Sequence, residues 1–174
     1  MKLKKYLYKK VESTNNVAIR LIKQGNQRGI ILTDQQTKGK GQGKNRWISM
    51  KGNLFISIFF EISKKISLTA IVNSNLKIIK KVINKKINSL IQIKKPNDIL
   101  INNKKVCGIL QEIIFREGRK YLIVGIGINV SSSPRINNYS TTFLNNYSNK
   151  EFNRIKLFKE IKLLYEKNLH LFGV

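Results

Sequence analysis

Ile91-Gln92-Ile93-Lys94-Lys95-Pro96-Asn97-Asp98-Ile99-Leu100-Ile101-Asn102-Asn103-Lys104-Lys105-Val106-Cys107-Gly108-Ile109-Leu110 is the stretch that decides the fold. Ile91, Gln92 and Ile93 alternate as a strand does, Pro96 interrupts the ladder because it has no N–H to donate, and Ile99-Leu100-Ile101 resumes it. Asn102-Asn103 then suits a tight turn, since Asn tolerates positive φ. Outward from there, residues 106–115 and 121–130 read as two more strands joined by Arg116-Glu117-Gly118-Arg119. The segment is therefore a mostly antiparallel meander. Upstream, Gly29-Ile30-Ile31-Leu32-Thr33 reads as a short buried strand and residues 54–62 as a core strand. Helical periodicity marks residues 11–24, opened by the cap-type Ser13-Thr14-Asn15, and residues 68–87, with Ile71, Val72, Ile78, Ile79 and Val82 on one side. A last amphipathic helix covers residues 154–171, with Ile155, Phe158, Ile161, Leu164 and Tyr165 inward. The expectation is an α+β class: a mixed, mostly antiparallel sheet flanked by helices, in one domain spanning residues 1–174.

A chain of 174 residues with 41% apolar content can bury one full core. No apolar run reaches the roughly 18 residues of a membrane span. Residues 1–10 alternate charge with Leu and Tyr and build no signal-peptide core, so a cytoplasmic protein is expected. One cysteine, Cys107, and one histidine, His170, leave no disulfide framework and no set of zinc ligands, and no metal site is assigned. The net charge of +25 invites a polyanion reading, reinforced by Lys77, Lys80, Lys81, Lys85 and Lys86 along the long helix. Two other readings stand beside it: such a run also makes a solvated helix face, and Lys, Ile and Asn, whose codons are AT-rich, make up about two fifths of the chain.

The segments that carry chemistry are loops and strand ends. In Gln36-Thr37-Lys38-Gly39-Lys40-Gly41-Gln42-Gly43-Lys44-Asn45-Arg46-Trp47, alternating glycines let the backbone approach a ligand while cations supply charge for a carboxylate or phosphate. The spacing fits neither the dinucleotide fingerprint nor the Walker loop, and a flexible surface turn has the same composition. Pro96 forces a bulge or turn that presents Asn97 and Asp98 at a strand end, where a plain Asn-Asp turn is the alternative. Lys105 opens a buried strand, and Gly108 inside it marks a close approach by another group or a local bulge.

Taken in order, Ser13-Thr14-Asn15, Gln36 through Gly41, Lys94-Lys95-Pro96-Asn97-Asp98, Lys105 through Leu110 and Gly125-Ile126-Gly127-Ile128-Asn129 resemble the successive motifs of bacterial biotin protein ligases. The resemblance implies a fold similar to the catalytic core of class II aminoacyl-tRNA synthetases. It also implies a two-step reaction, with biotin activated by ATP to biotinyl-AMP and then transferred to a carrier lysine. Carried over by position, Lys105, Lys94 and Asp98 are catalytic. Ser13, Thr14, Asn15, Gln36, Lys40, Gly41, Gln42, Lys105 and Gly108 hold biotin. Gly39, Trp47, Asn97 and Asn129 lie near the nucleotide. ATP and biotin are the substrates, with Mg²⁺ carried by phosphates. The implied partner is a biotin carboxyl carrier protein or the biotinyl domain of a carboxylase, a homodimer is admitted, and neither membrane nor specific DNA binding is expected.

The chain departs from the family pattern at Lys40 and Gln42, where Arg is usual, at Lys44, where glycine is usual, and at Lys95, where Trp is usual. Lysine lacks the guanidinium fork, so the loop should hold its ligand less firmly. No N-terminal helix-turn-helix and no C-terminal β-barrel segment is expected. A lipoate or octanoate ligase or transferase of the same fold is the nearest alternative, and a non-enzymatic basic nucleic-acid-binding module is a more distant one.

Overall fold

The computed structural model describes residues 1–85, 87–149 and 151–173; Lys86 of the cationic run, Lys150 and Val174 lie outside them. Seven strands form one sheet: β1 (Lys4–Val11), β2 (Arg28–Gln36), β3 (Leu54–Glu61), β4 (Ile91–Lys94), β5 (Asp98–Ile101), β6 (Lys104–Arg116) and β7 (Arg119–Ile128). Their spatial order is β1-β2-β3-β7-β6-β5-β4. Only β1 and β2 pair in parallel, with helix α1 (Thr14–Lys23) between them, and all other neighbours are antiparallel. The expected meander is present from β4 to β7.

Its turns follow from the residues. Asn102 and Asn103 both take positive φ, 47° and 64°, as do Glu117 and Gly118 at 48° and 72°, so both hairpins close through the two-residue left-handed turn that suits twisted strands. Pro96 ends β4, and β5 begins at Asp98, with a register shift between Ile99 and Leu100. β1 was not anticipated. Its Lys-rich pattern shows weak hydrophobic alternation because it is an edge strand, half-buried at Tyr6, Tyr8 and Val11 and exposed at its lysines and Leu7.

Helices α2 (Leu68–Asn84) and α3 (Arg154–Asn168) cover one face of the sheet. Ile71, Ile79, Val82, Leu157 and Ile161 join Ile56, Ile58, Leu122 and Val124 in the main core. α2 starts at Ser67, whose Oγ accepts from the Ala70 N–H at 3.1 Å. The last helix is shorter than expected and ends in a 3-10 turn, Leu169–Phe172, in which His170 is exposed. The opposite face carries α1 alone, packing Val17, Ala18, Leu21 and Ile22 on Ile31, Phe59, Tyr121 and Ile123. α1 covers only part of that face, and the uncovered remainder holds the site.

Candidate active site

Because strand side chains alternate, the face under α1 can be followed residue by residue past the helix. Phe59 on β3, Ile123 on β7 and Ile114 on β6 pack with α1. Two, four and six residues along the same strands, the face becomes Ser57 on β3, Gly125 and Gly127 on β7, and Glu112, Leu110 and Gly108 on β6, with Ser57 beside Gly125 and Gly108 beside Gly127 in register. The apolar face thus turns small and polar where α1 begins. A cavity of about 200 Å³ opens there.

One end is a hydrogen-bonding wall. Ser13 is the N-cap of α1, yet its side chain makes no capping bond. Residues of capping type serve the cavity instead. Gln36 Oε1 accepts from the Thr14 backbone N–H at 2.8 Å and lies 3.1 Å from Thr14 Oγ1, while Gln36 Nε2 donates to Ser49 Oγ at 3.3 Å. Ser57 Oγ lies 2.7 Å from Thr14 Oγ1 and 2.5 Å from Asn15 Oδ1. Asn15 Nδ2 donates to Glu112 Oε2 at 2.6 Å, and Lys40 Nζ stands 3.6 Å from the other carboxylate oxygen. A side chain at Gly125 is excluded, since a Cβ there would sit 2.4 Å from Asn15 Oδ1.

The other end is cationic. Lys105 Nζ is 2.8 Å from Asp98 Oδ1, both side chains less than a fifth exposed. The ammonium also stands 5.7 Å from the Trp47 ring centre and 5.2 Å from that of Tyr139, within range of a cation–π attraction. The segment 140–142 runs alongside and holds the backbone of Lys105: the Lys105 N–H donates to the Ser140 carbonyl and its carbonyl accepts from the Thr142 N–H. Between the ends lies the Trp47 indole, over the paired glycines, where a Cβ at Gly127 or Gly108 would come within 2.4 Å or 2.8 Å of its ring. Trp47 Nε1 is buried with no hydrogen-bond acceptor among the described residues.

The glycine-rich segment is a closed loop and not a free surface turn. Trp47 N–H donates to the Gly39 carbonyl at 3.0 Å and Gly41 N–H to the Asn45 carbonyl at 2.9 Å, leaving Gly43 at the tip with φ +63°. No helix follows directly; the next element is β3.

Twelve of the residues expected at the site line the cavity: Ser13, Thr14, Asn15 and Gln36 on the polar wall; Lys40, Gly41, Gln42 and Trp47 from the loop; Asn97, Asp98, Lys105 and Gly108 on the sheet side. Three do not. Gly39 closes the base of the loop. Lys94 is exposed at the end of β4, paired across the hairpin with Asp98. Asn129 is buried and donates its amide to the Thr142 carbonyl at 3.0 Å, although it borders a small adjoining cavity with Trp47, Lys105 and Tyr139. The approach expected over Gly108 is taken by Trp47, so that glycine seats a side chain of the protein itself. Ser57, Glu112 and Tyr139 were not anticipated. Ser57 is the one small polar residue in the apolar run Leu54–Glu61, and Glu112 is one of nine acids in a chain of charge +25, whereas nothing distinguishes Tyr139 within its polar stretch.

The fold is a mixed, mostly antiparallel sheet flanked by helices, with a polar and cationic cavity at the start of α1. The chain belongs to the biotin/lipoate A/B protein ligase family, whose model matches residues 7–129. The bifunctional ligase/repressor BirA of Bacillus subtilis is 32% identical over 155 residues, which are 79% of this chain and 45% of that protein. Biotin–protein ligase 2 of Arabidopsis thaliana is 37% identical over 123 residues, 67% of this chain and 36% of that one. The chain thus spans less than half the length of these curated relatives. Among solved structures, the biotin protein ligase from Aquifex aeolicus in complex with biotin and ATP superposes with a TM-score of 0.79 at 26% identity, over 96% of this chain and 70% of that one. A bipartite lipoate protein ligase from Thermoplasma acidophilum shares the fold, with a TM-score of 0.60 at 10% identity over 97% of this chain and 84% of that one. Among the described residues no helix is long and apolar enough to cross a membrane.

Proposed function

We propose that this chain is the catalytic unit of a biotin protein ligase, residues 1–174 acting together: it activates biotin with ATP and transfers it to a lysine of a carrier protein. The observation that carries the reading is the geometry of one cavity, which sets the Lys105–Asp98 pair at one end and the Thr14, Asn15 and Gln36 wall at the other. Biotin has a matching polarity, with a hydrogen-bonding ureido ring at one end and a carboxylate at the other.

In the first step a biotin carboxylate oxygen attacks the α-phosphorus of ATP, the bond to the β-phosphate oxygen breaks, and pyrophosphate leaves. Two anions must meet, so fixed cations offset their repulsion and stabilise charge on the phosphorus. Lys105 is assigned that task and Asp98 holds its ammonium in place. An ionised carboxylate needs no general base, which suits a cavity without histidine. In the second step the neutral amine of the carrier lysine attacks the acyl carbon of the mixed anhydride, AMP leaves, and the amine gives up a proton.

The biotin head falls to Ser13, Thr14, Asn15 and Gln36, with Lys40, Gly41 and Gln42 closing the loop over it and Gly108 seating Trp47. Trp47, through its unpartnered Nε1–H, and Asn97 face the nucleotide, with Gly39 shaping the loop and Asn129 the far wall. Lys94, on the surface beside Asp98, is assigned to the approach of the carrier. No group of three or more His, Cys, Asp or Glu side chains among the described residues forms a cage for a cation, so Mg²⁺ would enter with the triphosphate. The partner class is a biotinyl carrier domain. A cytoplasmic location, self-association as a homodimer and the lack of specific DNA binding complete the proposal.

The Arabidopsis relative is a biotin–protein ligase and the superposed Aquifex structure is a biotin protein ligase holding biotin and ATP, which favours biotin over lipoate as the acid. Biotin-dependent exchange of labelled pyrophosphate into ATP tests the first step directly. Exchange with biotin and none with lipoate is expected; the reverse pattern would move the chain to the lipoate branch.

A further inference from the structure

We infer that Glu112 is a positioning residue, which fixes the direction of a chain of hydrogen bonds along the cavity wall and so sets which atoms the wall offers a ligand. The inference rests on the biotin reading for the identity of that ligand. It concerns a residue that touches no substrate in that reading.

Ser57 Oγ and Thr14 Oγ1 carry one hydrogen each, yet three close contacts need one: Ser57 Oγ to Asn15 Oδ1 at 2.5 Å, Ser57 Oγ to Thr14 Oγ1 at 2.7 Å and Thr14 Oγ1 to Gln36 Oε1 at 3.1 Å. The orientation of the Asn15 amide decides the distribution. An ionised carboxylate only accepts, so Glu112 Oε2, 2.6 Å away, turns the Asn15 NH₂ group toward itself and leaves Oδ1 facing Ser57. Oδ1 cannot donate, and the shortest contact therefore takes the Ser57 hydrogen. Thr14 then donates to Ser57. Gln36 Oε1 keeps the Thr14 backbone N–H at 2.8 Å as its donor. The chain runs in one direction, from Thr14 to Ser57 to Asn15 to Glu112.

With its hydrogen committed inward, Thr14 Oγ1 offers lone pairs to the cavity it lines. The wall is thereby built to accept from a ligand N–H such as that of a cyclic urea. Reversing the Asn15 amide would reverse the chain and turn Thr14 into a donor. Glu112 prevents the reversal because its charge makes the wrong face of the amide repulsive at close range. Its second oxygen faces Lys40 at 3.6 Å, so the same carboxylate ties the glycine loop to the wall. Gly125 leaves the room in which the amide is held.

The test compares the parent, Glu112→Gln, Asn15→Asp and the exchanged pair Asn15→Asp/Glu112→Gln. Glutamine can present either face, so Glu112→Gln should raise the Kd for biotin roughly ten- to a hundredfold while the KM for ATP moves less than about twofold. Asn15→Asp sets two carboxylates against each other and should lose more. In the exchanged pair the amide introduced at position 112 donates to the carboxylate introduced at position 15, and that carboxylate still accepts from Ser57. Biotin affinity and melting temperature should then both recover toward the parent. A merely structural role for Glu112 predicts parallel losses for both substrates and no recovery on exchange. Biotin affinity in Glu112→Gln within about twofold of the parent, or an exchanged pair no better than Asn15→Asp, would overturn the inference and leave the ligase reading intact. A folded parent that binds no biotin overturns that reading itself, and this inference with it.

Discussion

Lys105 is held from three sides, by the Asp98 carboxylate at 2.8 Å, by two aromatic rings and by its own backbone bonds to the segment around Ser140 and Thr142. In a fixed cation of this kind the partners offset the cost of burial, and under the proposed reaction the charge would already be in place for the phosphate of ATP. Lys105→Ala should therefore cost about a hundredfold or more in biotinyl-AMP formation, read by pyrophosphate exchange. Asp98→Asn keeps the volume and frees the ammonium; a fall of about tenfold or more in the same assay is expected, and an unchanged rate would separate Asp98 from the chemistry. Cys107 gives the opposite case. It is fully buried on the strand beside Gly108, and burial, aided by the nearby Asp98 charge, drives its thiol far above the ordinary range, so it should resist iodoacetamide at pH 8 in the folded protein and react on unfolding. At this scale the motifs with unusual backbone demands or charge were legible, because glycines, Pro96 and strand-end lysines stand out in one dimension. Ser57 and Glu112 were not, since their importance lies in whom they meet across the sheet.

Elements fix where those residues meet. The turn chemistry of Asn102-Asn103 and Glu117-Gly118 identified the meander, and the alternation of β6 and β7 set which side chains share the cavity face. β1 escaped notice because an edge strand needs little apolar surface, and the parallel β1–β2 pairing through α1 escaped with it. The seat of Trp47 on two glycines could not be read from sequence either, since it joins a loop to a register pair on distant strands. Gly127→Ala should unseat the ring, with a stability loss of about 1–3 kcal/mol and a shift in tryptophan emission; the emission is unambiguous because Trp47 is the only tryptophan. An unshifted spectrum would contradict the packing. Glu166 joins α3 to the start of the chain, accepting from the Leu3 N–H at 2.6 Å and pairing with Lys162. Burial opposes its ionisation, but Lys162, the Leu3 N–H and the chain's amino terminus outweigh it and hold the carboxyl below its ordinary 4.5. A depressed carboxyl contributes stability above that value and loses it as pH falls through the folded-state value. Urea unfolding should show a loss below about pH 4.5 that Glu166→Gln lacks; identical pH profiles would contradict the anchoring role.

For the whole molecule the dominant fact is a charge of +25, and the site uses little of it. Of the helix lysines, Lys77, Lys81 and Lys85 are exposed on α2 and its C-cap, on the face of the sheet away from the cavity. Binding to nucleic acid through such a face is counterion-driven and falls steeply between about 50 and 200 mM salt. Lys77→Glu/Lys81→Glu should weaken any such binding and leave biotin transfer at the parent rate. Fold class was legible from the alternation of periods along the chain, whereas the value of the charge was not, because composition shaped by codons and composition shaped by a ligand look alike in one sequence. The most direct measurement is transfer of labelled biotin to a purified biotinyl carrier domain with ATP and Mg²⁺. Labelling that requires ATP and the acceptor lysine, and that falls with Lys105→Ala, is the expected result. A folded chain that leaves the carrier unlabelled while taking up lipoate, or neither acid, would contradict the account.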